Sequence, residues 1–122
     1  TIANQDEYDR DAVKLAMARR ALDPLFTFGS FEPLLGEVRL DHQRPDWVIV
    51  GGESGPNARP MDLNWARTLR ADAQRLGAVF NFKQVGGRKA DKGGHELDGE
   101  TYFNRPHADA MIAEREKRDG KD

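Results

Sequence analysis

The spacing of hydrophobic residues predicts two main helices. Apolar residues recur at three- and four-residue steps through residues 4–22, and Asn4 has the position of an N-terminal cap. The same period runs through residues 63–76. That second stretch lies between Asp62, a favourable N-cap, and Gly77, which suits the left-handed residue that closes a helix.

Three short apolar segments, residues 25–31, 47–50 and 78–83, predict strands. Residues 47–50 are apolar throughout, which is typical of a central strand of a parallel sheet with both faces covered. Because a helix separates the second strand from the third, those two strands are expected to be parallel. Residues 38–45 read as a polar connection.

The last part of the chain has a different character. From Gly86 onward glycines punctuate a polar stretch, and Asp98-Gly99 is a hairpin-turn signal, so we expect an irregular or hairpin-like flap. Residues 106–117 predict a short helix. The charged residues 114–119 at its end are expected to be a solvated, frayed tail.

Length and charge limit the class of protein. With 122 residues the chain suits one domain, which we divide into an α/β domain over residues 1–105 and a helix and tail over residues 106–122. The net charge of −2 makes nucleic acid an unexpected partner. No apolar run approaches the roughly 20 residues needed to span a bilayer, and the N-terminus lacks a signal pattern. We therefore expect a cytoplasmic protein without a membrane partner.

Several kinds of metal and redox chemistry are excluded or disfavoured by composition. The chain has no cysteine, which excludes disulfides, thiolate zinc sites and cysteine-bound iron–sulfur clusters within it. His42, His95 and His107 are not spaced as metal ligands. We expect neither a metal nor a cofactor.

Polar residues follow the ends of all three predicted strands. Because parallel strands end on the same side of a sheet, these residues are expected to face one pocket. These strand-end residues comprise two carboxylates, a lysine, an arginine, two amides, two serines and two glycines. They are Ser30, Glu32, Gly51, Gly52, Glu53, Ser54, Asn57, Arg59, Lys83 and Gln84.

The chemistry of this predicted pocket has several interpretations. Glycines in loop 51–55 would let backbone N–H groups approach an anion, although Asp62 at the next helix start opposes a phosphate. Glu32 and Glu53 would suit an acid/base pair, but the sequence does not fix their separation. Alternatively the cluster is structural, with Arg59 paired to Glu53 or Asp62.

Several segments resemble the phage Gp37/Gp68 family, a group of domains of unknown function. The resemblance rests on FEPLLG at 31–36, DWVIVGGESGP at 46–56 and ARPM at 58–61. Its long GGESGP core is unusual, and the likeness extends over the chain up to about Pro106. Further matching segments are NQ at 4–5, FKQ at 82–84, Gly94 and LDG at 97–99.

The resemblance implies a fold. Full-length members look like radical-SAM-type β/α barrels whose N-terminal half carries a cysteine cluster, and this chain corresponds to the C-terminal half. It implies an α/β partial (half) β/α barrel with three to four mainly parallel strands, two main helices, a glycine-rich flap and a short terminal helix. Residues 1–3 would be the stub of one strand. The ligand-binding surface implied is Asn4, Gln5, Glu32, Gly51, Gly52, Glu53, Ser54, Arg59, Lys83 and Gln84.

A half barrel exposes strand edges and apolar faces that need cover. Phe26, Phe28, Phe80 and Phe82 would belong to these faces, so we expect a homodimer or a protein partner. A small anionic or nucleotide-like ligand is also expected.

The function predicted first is that of a phage-associated, non-catalytic protein that binds a ligand or another protein. Two alternatives remain: one subunit of a split radical-SAM-like enzyme, or a small enzyme with a nucleotide-like pocket. Since the cysteine-bearing half is absent from this chain, we do not expect the isolated chain to be an enzyme.

Overall fold

A four-stranded sheet organises the chain. The computed structural model describes residues 1–89 and 93–120; residues 90–92 of the predicted flap and 121–122 of the predicted tail lie outside the described residues. The strands stand in the order β1 to β4, with β1 parallel to β2, β2 parallel to β3, and β4 antiparallel to β3. They are β1 Phe28–Phe31, β2 Trp47–Gly51, β3 Val79–Gln84 and β4 Tyr102–Phe103, and the helices are α1 Gln5–Leu22, α2 Leu63–Leu76 and α3 Ala108–Arg118.

The α/β class and the mainly parallel sheet are confirmed. The four strands form an open sheet, and the idea that they are part of a β/α barrel stays a prediction. None of the helices in residues 1–89 and 93–120 is long and apolar enough to cross a bilayer.

Helix α1 begins and ends where the sequence predicts. The side chain of Asn4 accepts a hydrogen bond from the Glu7 N–H at 3.0 Å, and the Glu7 carboxylate accepts one from the Ala3 N–H at 2.7 Å. These bonds satisfy backbone donors that a helix N-terminus leaves without partners. Asp23 closes the helix in the left-handed conformation.

Helix α2 also keeps its predicted bounds. The Asp62 carboxylate accepts a hydrogen bond from the Asn64 N–H at 2.9 Å, and Gly77 closes the helix with φ of 74°. A left-handed residue at this position suits glycine, which lacks a Cβ. The chain then enters β3 directly, as predicted.

The core lies between one face of the sheet and the two main helices. Phe31, Val50 and Phe82 form a row across this face, in register, and all three are fully buried. Tyr8 of α1 stacks on Phe31 with ring centroids 6.2 Å apart, and Leu69 of α2 is fully buried in the same core. Phe80 and Phe82, expected to need cover, are instead core residues of this helix-covered face.

The opposite face of the sheet is exposed to solvent, so the prediction that β2 is covered on both faces is wrong in part. Val48 and Val50 are buried, but Trp47 and Ile49 point to the other face and are only partly buried. Phe28 on the same face as Trp47 is 59% exposed, in agreement with the prediction that it needs cover. Apolar residues on both faces of a strand do not by themselves show that both faces are packed.

Strand β1 is shorter than the predicted segment 25–31. The Asp46 carboxylate accepts hydrogen bonds from the Thr27 N–H at 2.8 Å and from the Thr27 hydroxyl at 3.2 Å. A side chain therefore takes the amide of the residue before β1, and the ladder begins at Phe28.

The predicted polar connection contributes to the core. Val38 and Leu40 are buried, and the buried carboxylate of Asp72 holds this segment against α2. Asp72 accepts hydrogen bonds from Arg39 Nε at 2.8 Å and from the Leu40 N–H at 3.0 Å. Hydrophobic residues in this segment do not recur at a helix or strand period, because the segment packs as a loop that Asp72 holds in place.

The flap contains the predicted turn. Leu97 and Glu100 form an antiparallel bridge around Asp98-Gly99, and the chain continues into the short strand β4. The short helix predicted over residues 106–117 is confirmed as α3, and its charged end is mostly exposed as predicted, but helical up to Arg118 instead of frayed. Arg118 contacts the Asp23 carboxylate at 3.1 Å, so α3 is tied to the C-terminus of α1.

Candidate functional site

A groove of about 630 Å³ lies on the exposed face of the sheet. Three rows of side chains form its surface from the start of the strands to their carboxyl ends. The rows are Phe28 with Trp47; then Ser30, Ile49, Asn81 and Phe103; then Glu32 with Lys83.

The carboxyl end of the groove holds a polar cluster. The Glu32 carboxylate accepts hydrogen bonds from Lys83 Nζ at 3.0 Å, Gln84 Nε2 at 3.3 Å and Ser30 Oγ at 3.4 Å. Glu32 follows β1 and Lys83 lies in β3, so the contact crosses β2. The structure therefore brings together the predicted residues of the first and third strand ends.

Gly51 makes this contact across β2 possible. A Cβ at this position would lie 2.9 Å from Glu32 Oε2 and 2.8 Å from Gln84 Nε2. Only a residue without a side chain leaves room for the cluster in its present arrangement.

Glu53 and Arg59 form a separate pair. Arg59 donates from Nε at 2.9 Å and from Nη2 at 2.8 Å to the two carboxylate oxygens, and its backbone N–H donates as well. These bonds from Arg59 lower the pKa of Glu53 to about 2. The structural alternative for Arg59 is therefore the arrangement observed, with Glu53 as the partner.

Loop 51–55 continues the sheet instead of forming a backbone cradle. The Gly52 N–H donates to the Gln84 carbonyl and the Gly55 N–H donates to the Gly87 carbonyl, both at 3.0 Å. Ser54 forms a parallel bridge with Gly87. Because Gly52 and Gly55 use their N–H groups in this pairing, these two glycines have no N–H left for an anion.

Asn4 and Gln5 lie outside the groove. Asn4 caps α1, and the Gln5 side chain accepts a hydrogen bond from the Arg39 N–H at 2.7 Å. The structure thus gives both residues partners in the fold, and their role in ligand binding stays a prediction.

The aromatic part of the groove was missing from the predicted site. Phe28 contacts Trp47 with ring centroids 6.4 Å apart, and His95 contacts Phe103 at 5.6 Å. Trp47 Nε1 donates to the Asn104 carbonyl at 3.0 Å, which fixes the indole. Because side chains alternate between the two faces of a strand, the sequence shows which residues of one strand share a face. Which residues of neighbouring strands lie beside them is known only once the strand register is known.

A larger cavity, of about 1000 Å³, lies beyond β4 beside α2. Two of its charged residues are paired with each other: Arg70 contacts Asp98 at 2.8 Å, and the Arg70 guanidinium lies over the Tyr102 ring. The groove is the better candidate because Glu32, after β1, and Lys83, in β3, meet at its carboxyl end.

Metal chemistry finds no support in the donor set. Within residues 1–89 and 93–120, no group of three or more His, Cys, Asp or Glu residues is placed to hold a metal ion. The chain also lacks the thiolates that an iron–sulfur cluster of the radical-SAM type requires. The residues present therefore do not fit such a cluster.

A family model described as "protein of unknown function (DUF5131)" matches residues 1–106. The chain belongs to this family. The prediction of a domain of unknown function is thus confirmed, while the phage association and the radical-SAM-like resemblance stay predictions. Comparisons with curated proteins and with solved structures found no significant match.

The part matched to DUF5131 contains the whole groove and all ten residues of the predicted ligand-binding surface. Helix α3, Ala108–Arg118, follows the matched residues. The division into residues 1–105 and 106–122 stays a prediction.

Proposed function

We propose that this DUF5131 domain is a non-catalytic binding domain that holds a small ligand in the groove on the exposed face of its sheet. One observation carries the proposal: the Glu32–Lys83 pair lies at the carboxyl end of an aromatic surface that is open to solvent. An apolar surface beside a few convergent polar groups is the usual composition of a ligand site.

Exposed aromatic rings supply the affinity in this proposal. Phe28 and Phe103 are each 59% exposed. Burying apolar surface stabilises a complex by about 25 cal/mol per Å² before the costs of association. A ligand that covers these two rings would therefore gain binding free energy that the unliganded protein forgoes.

The carboxylates support binding rather than acid/base catalysis. With a pKa of about 2, Glu53 is ionised and is a weak base near neutral pH. The Glu32 carboxylate already accepts hydrogen bonds from three side chains.

Lys83 supports a ligand that carries an anionic group, as a nucleotide-like ligand does. Its side chain is 49% exposed, and an ammonium group has three N–H donors. Within residues 1–89 and 93–120, Glu32 is the one hydrogen-bond partner of the Lys83 ammonium group, so this group retains N–H donors for a ligand.

A thermal-shift screen with nucleotides, adenosyl compounds and phosphosugars tests the proposal. Ser30→Phe would fill the groove without entering the core, and Ala21→Phe, at an exposed position of α1, is the matched control. We expect a ligand to raise the Tm of the wild type and of Ala21→Phe, but not of Ser30→Phe. Equal stabilisation of all three proteins would place the ligand elsewhere and contradict the proposal.

A second candidate function is a subunit of a split radical-SAM-like enzyme, and the edge of β1 favours it. The Ile2 N–H donates to the Ser30 carbonyl at 2.8 Å, and the Ala3 carbonyl accepts from the Leu35 N–H at 2.9 Å. Residues 1–3 therefore lie along the outer edge of β1, and a further strand of a homodimer or protein partner would add next to them.

This second function predicts that a neighbouring reading frame encodes a cysteine-rich protein that matches the missing N-terminal half of the barrel. Co-expression of the two proteins should then give a one-to-one complex. A well-folded monomer at micromolar concentration, with no complex on co-expression, would count against both the split enzyme and the homodimer.

A further inference from the structure

We propose that the groove selects a zwitterionic aromatic ligand of the α-amino-acid class, with its ring on the apolar rows and its charged groups at Glu32 and Lys83. The inference rests on the proposed function and names the chemical class of the ligand. It follows from the charges at one end of the groove and from their spacing to the aromatic side chains.

The charged end presents both signs together. Glu32 Oε1 and Lys83 Nζ are 3.0 Å apart, and their side chains are 26% and 49% exposed. A ligand with only a carboxylate would be attracted by Lys83 but repelled by Glu32. A ligand with only an ammonium group would be attracted by Glu32 but repelled by Lys83. A ligand that carries both groups on one carbon atom offers each residue its opposite charge.

The hydrogen-bonding capacity of the pair is not exhausted. Lys83 uses one of its three N–H donors on Glu32. Glu32 Oε2 accepts only the long bond from Gln84 at 3.3 Å among the described residues, so an oxygen lone pair remains for an ammonium group. Gln84 is itself held by its 2.8 Å bond to the Gly52 carbonyl, which keeps this end of the groove in place.

The aromatic part of the groove lies at a fitting distance. Phe103 pairs in register with Asn81, and Lys83 is two residues further along β3. Two residues of a strand span about 6.6 Å, the scale of the distance from the ring centre of an aromatic amino acid to a group that is hydrogen-bonded to its ammonium or carboxylate. The ring would lie over Ile49 and against Phe103.

The other aromatic rings complete this apolar surface. Phe28 and Trp47 form the next row of the groove, with ring centroids 6.4 Å apart. Aromatic rings prefer offset-stacked or edge-to-face contacts, which tilted neighbouring rings supply to a planar ligand. A ring larger than phenyl would extend toward this row.

Fluorescence titration of a Trp65→Phe protein tests the inference, because Trp47 is then the single tryptophan and lies in the groove. The probe is L-phenylalanine, which is non-fluorescent at tryptophan excitation. 3-Phenylpropionate and phenethylamine keep the ring and each remove one charge. We expect saturable binding of L-phenylalanine and at least tenfold weaker binding of either analogue.

Variants provide an independent arm in the same background. Glu32→Gln and Lys83→Met should each weaken L-phenylalanine binding at least tenfold, whereas Lys14→Met, on an exposed position of α1, should leave it unchanged. Equal affinity for the three ligands, or unchanged binding in both groove variants, would overturn the zwitterion inference. If L-phenylalanine fails but a nucleotide stabilises the wild type and not Ser30→Phe, only the inference is wrong. If nothing binds in either experiment, the proposed function is wrong as well.

Discussion

Glu32 and Lys83 contact each other across an intervening strand, with 3.0 Å between Oε1 and Nζ. The contact passes over Gly51 of β2, where an added Cβ would approach Glu32 Oε2 to 2.9 Å. The polar end of the groove thus depends on a glycine in the middle strand, and the conformational freedom of glycine is not what matters there. What matters is the space that a side chain would occupy.

Gly51→Ala is expected to displace the Gln84 amide, because the new methyl group would lie 2.8 Å from Gln84 Nε2. Gln84 is buried, and its bond to the Gly52 carbonyl would be lost or weakened. A lost hydrogen bond of this kind costs about 1 kcal/mol, which urea denaturation can measure. Ligand binding in the groove should weaken with it.

Gly36→Ala is the matched control for that substitution. Its Cβ would meet only the Asn4 Cβ, at an ordinary 3.6 Å. We expect an unchanged or slightly raised stability, since alanine restricts the unfolded chain. Equal destabilisation by both substitutions would mean that the cluster around Gly51 has no special role.

Asp72 is expected to make the fold sensitive to acid. Burial alone would raise the pKa of Asp72, but hydrogen bonds from Arg39, the Leu40 N–H and Arg75 outweigh it, and the pKa lies below its usual value. A depressed pKa contributes stability above the unfolded-state value of about 3.9, and this contribution is lost as pH falls through the folded-state pKa.

Asp72→Asn should therefore destabilise the protein at pH 7 by about 1–3 kcal/mol, through weaker hydrogen bonds to a neutral side chain. Because Asn does not titrate, the difference from wild type should shrink below about pH 4. Asp109→Asn, at an exposed position of α3, is the control. A difference between wild type and Asp72→Asn that stays constant from pH 7 to pH 3 would contradict the assignment.

The Glu53–Arg59 pair gives a direct pKa measurement. An NMR titration that follows the ¹³C chemical shift of the Glu53 side-chain carboxyl carbon should give a pKa of about 2 for Glu53 in the wild type. In Arg59→Ala this pKa should rise toward the ordinary glutamate value of about 4.3. The control Arg105→Ala should leave the pKa of Glu53 unchanged. If Arg59→Ala also leaves the pKa of Glu53 unchanged, the pair does not form in solution.

Asn4 separates a structural role from a ligand role. Asn4→Ala removes the cap of α1 and should cost about 1 kcal/mol, whereas Asn4→Ser should retain most of the stability. Neither variant should change ligand affinity in the groove, as titration can show. Loss of binding in Asn4→Ala at full stability would instead support the predicted contact with ligand.

The helices and the parallel strand order could be predicted because their signals are local. Asn4, Asp62 and Gly77 mark helix ends by their own chemistry, and the strand–helix–strand order around α2 fixes a parallel pair. The meeting of Glu32 with Lys83 also followed from sequence, because parallel strands end on one side of a sheet.

The open face could not be predicted because it depends on register and packing. Trp47 and Ile49 are as apolar as Val48 and Val50, yet only the second pair is buried under the helices. The short β4, which brings Phe103 to the groove, has only two residues and no periodic pattern. Val38 and Leu40 entered the core from a loop whose packing depends on distant Asp72.

Chemical-shift mapping with a fragment library on ¹⁵N-labelled protein tests the central claim, that the exposed face of the sheet is the binding site. The indole N–H of Trp47 lies in the groove, and that of Trp65, in α2, is an internal reference. The account predicts that bound fragments shift Trp47 Nε1, Asn81 and Lys83 and leave Trp65 unchanged. Fragments that bind while those groove signals stay fixed would contradict it.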